Sequence, residues 1–496
     1  MKRLTITLLA LILILGAAVN ASAFDVGGSL TSGTDLSTLD IEGASTEAQL
    51  GLWLESGKGE HYSFEMKFDL TAAITKDLLE DEVLFNFYFN PDYLKLDGLW
   101  DDLDYGPSIL ATSFGRFSAS DFSSKVFSQQ LDGLTMNFNY PKAELTITAG
   151  TTALMFTESG SILNSSSPTI MSKTDLAQTS NSTTLTKKLF DPDGTDGLTI
   201  FDSPRAVEII TLSLPEAIAR QSLTFSLVAQ EDLRPMMAVA ADYFGETTDY
   251  PLVQEGDIYY DADGGGAVDT QYIGAGVSGP IIGSLYHNVF YYFGTGRTLS
   301  YKADGNSSEG YSYQYDTIIS HMAGFSLDYF LPWLFNSRIS GGAYFGTGDS
   351  DADYYYEGNK EGYYTQFTPI TSGGGGIIFS PGVSNILTAN ASYSMKPLGW
   401  MPLRIVKDLQ VSANLLQFYR LTEGPVSISG ISSDFEAESR NYLGSEIDLT
   451  VNWRPFSDLG AIAQVGYFLP NSNAFEAGSD MSNPTFMAKL NVSFSF

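Results

Sequence analysis

Apolar and polar side chains alternate strictly along the C-terminal stretch of the chain. One set consists of Phe486, Ala488, Leu490, Val492, Phe494 and Phe496, and the residues between them are Met487, Lys489, Asn491, Ser493 and Ser495. A period of two is that of a β-strand with one oily face and one polar face. A strand of about ten residues is long enough to cross a lipid bilayer at the tilt found in barrels.

The same period recurs throughout the chain, most clearly at 62–70, 83–89, 134–140, 223–229 and 443–453. We count about 18 such strands, with 16 as the alternative, and predict an all-β fold, a transmembrane antiparallel β-barrel. Phe496 is typical of the last strand of bacterial outer-membrane barrels, and it predicts an interaction with the barrel assembly machinery. A soluble sandwich or propeller also has short alternating strands and stays open as an alternative.

Links between the predicted strands are alternately short and long, as in outer-membrane barrels, where the periplasmic turns are short and the outer loops are long. Long loops are predicted near 152–204, 231–267 and 348–382, and short links include 141–142, 215–220 and 455–458. This parity places both termini in the periplasm. Two links on the short side, 91–106 and 396–406, are too long for the pattern, and we interpret them as a small periplasmic helix or plug.

The N-terminal segment has the organisation of an export signal. Lys2 and Arg3 precede an apolar run over 4–19, and the small residues ASA follow at 21–23. We predict that residues 1–23 are a cleaved signal peptide, with an uncleaved anchor as the alternative. No internal repeat is visible, so 24–496 is predicted to be a single domain, located in the outer membrane of a diderm bacterium.

Charge and cysteine content narrow the class. The formal net charge is −32, and it becomes −34 when Lys2 and Arg3 leave with the signal peptide. Such an acidic chain is not expected to bind nucleic acid. The chain has Cys 0, so disulfides do not stabilise it despite the predicted export. Outer-membrane lipid is the partner that the barrel pattern predicts, and an oligomeric state does not follow from it.

Three blocks resemble a known family. They are YLGSEIDL at 442–449 with WRP at 453–455 and GYFLP at 466–470, GGAYFGTGD at 341–349 with FTP at 367–369, and GRF at 115–117 with LDGL at 131–134. In this order they are similar to the alginate-export family of outer-membrane porins. The resemblance implies a barrel of 18 strands that passes a solute by diffusion through a polar lumen, and it does not identify the solute.

Charged residues at inward positions of the alternation are the candidate pore-lining residues. They are Glu65, Lys67, Asp69, Arg116, Asp328, Arg338, Arg420, Glu446, Asp448 and Lys489. Alginate exporters attract an anionic polymer with arginines, whereas this chain has Lys+Arg 26 against Asp+Glu 58. We therefore expect passive diffusion of small polar or weakly cationic solutes, including saccharides, with Glu446 and Asp448 as the first pair to test. Export of an acidic polysaccharide is an alternative.

Acidic glycine-rich stretches could bind calcium in the outer loops. The candidate ligands are Asp261, Asp263, Asp269, Asp349, Asp351 and Asp353. Carboxylates at alternate positions of a bend can converge on a hard cation, but none of these stretches has the bidentate Glu of a complete EF-hand loop. A solvated acidic loop is the alternative interpretation, and the predicted channel requires no cofactor.

Catalysis has little support in the sequence. The histidines are His61, His287 and His321, far apart in the predicted topology, and no Gly-x-Ser-x-Gly motif is present. We therefore predict that the protein is not an enzyme. A surface-exposed barrel whose loops bind a ligand or a host surface is the remaining alternative, because 152–204 is rich in Ser and Thr and Tyr354, Tyr355 and Tyr356 are consecutive.

Overall fold

The computed structural model describes residues 25–37, 43–56, 61–77, 83–101, 106–152, 170–172, 205–233, 258–260, 268–303, 311–352, 362–371, 375–428, 431–432, 441–476 and 479–496. The predicted signal peptide at 1–23 lies outside these residues. Most residues of the predicted loops at 152–204 and 231–267 also lie outside the described residues.

Twenty strands are described. They are β1 (Asp25–Ser37), β2 (Gly43–Ser56), β3 (Tyr62–Asp77), β4 (Val83–Asp101), β5 (Ile109–Ser120), β6 (Ser128–Tyr140), β7 (Ala143–Thr151), β8 (Ile170–Ser172), β9 (Arg205–Ile218), β10 (Gln221–Asp232), β11 (Ile258–Tyr260), β12 (Val268–Ile282), β13 (Leu285–Ala303), β14 (Tyr311–Leu331), β15 (Ser337–Gly346), β16 (Ile386–Met395), β17 (Gln410–Arg420), β18 (Tyr442–Phe456), β19 (Leu459–Pro470) and β20 (Thr485–Ser495). A helical turn, α1, spans Arg404–Lys407.

Eighteen of these strands form one closed antiparallel sheet, and β8 pairs with β11 in a separate sheet of two strands. Each strand of the large sheet pairs with the strands next to it in the chain, and β1 pairs with β20 to close the ring. The predicted antiparallel barrel of about 18 strands is confirmed, and the alternatives of 16 strands or a soluble sandwich are not.

Phe496 takes part in the closure of the barrel. Its backbone N–H donates to the carbonyl oxygen of Gly28 at 2.9 Å, and the N–H of Gly28 donates to the carbonyl oxygen of Phe496 at 3.0 Å. The Phe496 ring occupies the space where a Cβ on Gly28 would project. A glycine at position 28 therefore lets the final aromatic ring lie over β1.

The outward face of the barrel is apolar. On β18, Ile447 is 51% exposed and Leu449 44%, whereas the intervening Asp448 is 6% exposed. The same contrast recurs on β20, where Leu490 and Phe494 are exposed. Because successive side chains of a strand point to opposite faces, this pattern gives an oily exterior and a polar interior. Among the described residues, no helix has the length and hydropathy needed to cross a membrane.

The two ends of the barrel differ. Links at 141–142, 219–220, 283–284 and 457–458 are short and lie at one end, which we call the short-turn end. The link 396–409 also lies there and contains α1, as the sequence suggested. The expected long link at 91–106 is wrong, because β4 continues through Pro91 to Asp101. Pairing of β4 with β3 shifts by one residue at this point, since proline has no N–H to donate.

Three glycines stand side by side on β5, β6 and β7. Gly115 pairs with Gly133, which pairs with Gly150. A Cβ on Gly133 would overlap the carbonyl oxygen of Ala149, and a Cβ on Gly115 would overlap that of Leu94. The strands approach each other closely here, which only glycine permits. Beyond this row the tip of the β5–β6 hairpin leaves the wall.

Candidate functional site

Parts of the long connection between β15 and β16 cross the lumen. The described parts are 347–352, 362–371 and 375–385, which we call the crossing loop. Its part at 362–371 reaches the β5–β6 hairpin, almost opposite in the ring of strands. The N–H of Ile370 donates to the carbonyl oxygen of Val126 at 2.9 Å, and the N–H of Ser128 donates to Thr371 Oγ1 at 2.8 Å. The crossing loop and the hairpin together therefore bridge the barrel from wall to wall.

Glu446 anchors the returning part of the crossing loop. It projects inward from β18, is fully buried, and accepts hydrogen bonds from the N–H groups of Ile378 and Phe379, each at 2.8 Å. A Cβ on Gly376 would overlap its carboxylate. Because the carboxyl group is buried and accepts two consecutive backbone N–H groups, Glu446 fixes the path of this loop.

Asp121 plays the same role for the β5–β6 hairpin. Its Oδ1 accepts the N–H groups of Val126 and Phe127 at 2.9 and 2.8 Å, and its Oδ2 accepts the hydroxyl of Tyr292 from β13 at 2.7 Å. The residue is 1% exposed. Sequence reasoning missed it, although Asp121 with Ser123 two residues later at a hairpin tip is a common turn signal.

Two apolar clusters fill the space between these segments and the wall. The first contains Val228, Tyr272, Tyr292, Met322 and Phe367, together with Phe127 and Leu131 of the hairpin. The second is built on Phe379, whose ring stacks on Phe468 with centroids 4.7 Å apart, and includes Phe418 and Phe475. Dense apolar packing excludes water, so these clusters close the long-loop half of the lumen beside β9–β14 and β16–β19.

A charged wall lies on β3 and β4. Lys95 Nζ is 2.8 Å from Glu65 and 3.1 Å from Asp97, and Lys67 Nζ is 2.5 Å from Asp92 and 3.5 Å from Asp69. The hairpin reaches this wall, because Gln130 Nε2 donates to the carbonyl oxygen of Asp92 at 3.0 Å.

Water-accessible space remains on the side of β19, β20, β1 and β2. It is a cavity of about 360 Å³ lined by Thr31, Gly33, Glu47, Gln49, Ile462, Asn491 and Ser493. Five of the seven lining residues carry a hydroxyl, amide or carboxylate group. Such groups can replace part of the hydration shell of a polar solute.

The predicted pore-lining residues occupy different environments, and a pore-lining role stays a prediction for all of them. Glu65, Lys67 and Asp69 belong to the charged wall, and Lys489 lies 3.8 Å from Asp35 at the edge of the cavity. Nearer the short-turn end, Arg338 pairs with Asp328 at 2.7 Å.

The other candidates are buried. Arg116 is 2% exposed and makes a bidentate pair with Asp132 at 2.7 and 2.8 Å. Arg420, 3% exposed, donates to the carbonyl oxygen of Ser432 at 2.8 Å. Asp448 is 6% exposed and stands next to Glu446 on the inner face of β18. None of these groups offers a free charge to a passing solute in this conformation.

The predicted calcium ligands are not assembled in the described part of the chain. Asp261, Asp263 and Asp353 lie outside it. Asp269 pairs with Arg297 at 2.8 Å and accepts the N–H of Asp232 at 2.9 Å. No group of three or more His, Cys, Asp or Glu side chains with metal-binding geometry occurs among the described residues.

Asp349 instead stabilises the start of the crossing loop. Its Oδ2 accepts the N–H of Thr365 at 2.8 Å and its Oδ1 that of Asp351 at 3.3 Å. The residue is 3% exposed. Burial, with a smaller contribution from a hydrogen bond to the Asp351 side chain, raises the pKa of Asp349 to about 7.

No protein-family model and no curated protein matches the chain, so the resemblance to the alginate-export porins stays a prediction. Several solved structures are similar in overall shape. The crystal structure of Pseudomonas aeruginosa OccK7 (OpdD) is 11% identical, with a TM-score of 0.49 over 96% of this chain and 99% of that chain. The outer membrane protein OpdK from Pseudomonas aeruginosa is 12% identical, with a TM-score of 0.48 over 95% and 99%.

Proposed function

We propose that the protein is an outer-membrane channel through which small polar solutes, preferentially cations, diffuse along the unfilled side of its lumen. The observation that carries this proposal is the polar cavity beside β19, β20, β1 and β2, next to the bridge that closes the rest of the long-loop half. The solute path runs between the crossing loop and these strands.

The exterior of the barrel supports a membrane location. Apolar side chains exposed on many strands include Leu30, Phe114, Phe225, Ile273, Phe325, Ile339, Ile447 and Leu490. A contiguous apolar belt of this kind is not stable against water and is the surface that lipid covers. The short-turn end, with both termini, then faces the periplasm, and Phe496 is the residue that the assembly machinery would read.

Charge on the unfilled side supports cation preference. Among the described inward positions of β1–β4 and β20, the carboxylates include Asp25, Asp35, Glu47, Glu55, Glu65, Asp69, Asp92, Asp97 and Asp101, and the ammonium groups are Lys67, Lys95 and Lys489. Each of the three lysines is within 4 Å of a carboxylate. The electrostatic potential along the path is therefore negative, which raises the local concentration of cations and lowers that of anions.

The same lining suits uncharged polyols. Thr31, Gln49, Asn491 and Ser493 present both donors and acceptors at the cavity surface. A saccharide could exchange water for these groups at little cost. An acidic polysaccharide would meet the excess of carboxylates, so its export is the weaker proposal. Calcium binding at Asp261 and Asp263 in the outer loops is compatible with the channel but is not needed for it.

Current through single channels in a planar bilayer, with a potassium chloride gradient across it, tests the proposal. We expect discrete conductance steps and a reversal potential on the cation-selective side. Replacing Glu47 and Glu55 by Gln should move the reversal potential toward zero. The matched control replaces Glu208 and Glu231 by Gln, which removes two carboxylates from the outward face and should change little. Anion selectivity, or a folded barrel without conductance, would contradict the proposal.

A further inference from the structure

The link between β16 and β17, residues 396–409, exposes apolar side chains at the short-turn end. Trp400 is 70% exposed, Leu403 62% and Ile405 44%. The neighbouring turn between β14 and β15 adds Trp333 at 79% and Phe335 at 48%. We call the segment 396–409 with this turn the periplasmic patch.

Hydrogen bonds fix the patch against the lipid-facing side of the barrel. Trp453 Nε1 donates to the carbonyl oxygen of Ile405 at 2.8 Å. Trp453 shares the outward face of β18 with Ile447 and Leu449, which are 51% and 44% exposed. The N–H of Lys396 donates to the carbonyl oxygen of Phe335 at 2.9 Å, which joins the segment to the adjacent turn. The segment therefore lies over the apolar belt at its edge and does not hang below the barrel.

Three of the five tryptophans of the chain, Trp333, Trp400 and Trp453, belong to this part of the barrel rim. Indole rings prefer the boundary between lipid tails and headgroups, because one part of the ring is apolar and its N–H is polar. The patch is therefore placed at the depth of the headgroups.

The charge of the segment is opposite to that of the chain. Lys396, Arg404 and Lys407 face a single carboxylate, Asp408, which pairs with Lys396 at 3.0 Å. Arg404 and Lys407 are exposed, and neither makes an ion pair within 4 Å in the described part of the chain. In a chain of formal charge −32, two uncompensated cations among exposed aromatic and aliphatic side chains are a local exception.

We propose that the periplasmic patch binds the anionic phospholipids of the inner leaflet, with Arg404 and Lys407 at the phosphodiester groups and Trp400, Leu403 and Ile405 among the upper acyl carbons. An apolar face with a basic polar edge is the arrangement by which short segments lie in a membrane interface. The inference rests on the proposed location in a membrane, because the patch contacts phospholipid only if the barrel is inserted in a bilayer.

Tryptophan quenching by brominated lipid tests the inference. The protein is reconstituted in phosphatidylcholine vesicles that contain a minority of phosphatidylglycerol, and bromine is placed either on the phosphatidylglycerol or on an equal fraction of the phosphatidylcholine. We expect stronger quenching by the brominated anionic lipid, corresponding to roughly tenfold local enrichment at low ionic strength for two basic side chains. Added salt should reduce it.

Charge reversal supplies the decisive comparison. Arg404→Glu with Lys407→Glu should abolish the preference for the anionic lipid, so that the two brominated lipids quench to the same extent. The matched control, Lys142→Glu with Arg220→Glu, makes the same charge change in two other short turns and should keep the preference. Equal quenching by both lipids in the inserted wild-type protein would overturn the inference. A protein that does not insert, seen as weak quenching by either lipid, would overturn the membrane location itself.

Discussion

Two buried carboxylates, Glu446 and Asp121, hold the segments that narrow the lumen. Each accepts hydrogen bonds from two consecutive backbone N–H groups of a loop that has left the wall. Buried amides without a partner are costly, and each of these two carboxyl groups supplies the acceptor for a pair of them. These two acidic side chains therefore have a structural role in this conformation. They affect a solute only indirectly, by holding the loops that narrow the lumen.

Removing the Glu446 carboxylate should release the crossing loop. In Glu446→Ala the N–H groups of Ile378 and Phe379 lose their acceptor, which costs about 2–5 kcal/mol of docking free energy. We expect larger and noisier single-channel currents with nearly unchanged ion selectivity. Glu446→Gln keeps one acceptor oxygen and should have a smaller effect. The control is Asp328→Asn, near the short-turn end; if its currents change as much as those of Glu446→Ala, the loop assignment fails.

Docking of the crossing loop should depend on pH through Asp349. The folded-state pKa of Asp349 is raised from 3.8 to about 7, so the protonated form favours the docked loop. This stabilisation is complete below pH 3.8 and is lost as the pH rises toward 7. We expect the wild-type conductance to increase over this range, whereas Asp349→Asn should resemble the acid form at every pH. A pH response of equal size in Asp349→Asn would show that another group is responsible.

At the scale of elements, the glycine row on β5, β6 and β7 sets where the hairpin turns into the lumen. Gly133→Ala places a methyl group against the carbonyl oxygen of Ala149 and should cost about 1–3 kcal/mol. This loss of stability is measured by the temperature at which the folded barrel converts to the unfolded band in gel electrophoresis. The control is Gly341→Ala on β15, where the nearest atom, the carbonyl oxygen of Asn390, is 3.5 Å from the new Cβ. Equal losses in both variants would refute a special role for the row.

Strands were predictable because their signal is local. Alternation at 62–70 and 443–453 needs only the sequence neighbourhood, and β3 and β18 follow it. β4 was cut short in the prediction because Pro91 usually ends a strand, whereas here a bulge in the pairing with β3 accommodates it. Whether a strand continues past a proline depends on its pairing with the neighbouring strand, and a single sequence does not reveal that pairing.

At the scale of the whole molecule, the barrel is divided into a filled side and a polar side. The inward aromatic residues Tyr272, Tyr292 and Phe418 look like interruptions of a polar lumen in the sequence. They are the surface on which Phe367 and Phe379 pack, far along the chain. The predicted mixture of charges occurs on β3 and β4. The sequence does not show that Glu446 anchors a loop and is not a lumen charge of that kind, because the docking of a distant loop leaves no periodic signal.

The central claim, that solutes pass on the polar side, can be tested by cysteine modification during single-channel recording. The chain has Cys 0, so an introduced thiol reacts without background. A cationic methanethiosulfonate reagent should reduce the current in Gln49→Cys and Asn491→Cys, which line the cavity. It should leave Ser320→Cys unchanged, because Ser320 is 1% exposed on the filled side, and should affect that variant only when combined with Glu446→Ala. A current reduced in Ser320→Cys alone, with Gln49→Cys and Asn491→Cys unaffected, would contradict the claim.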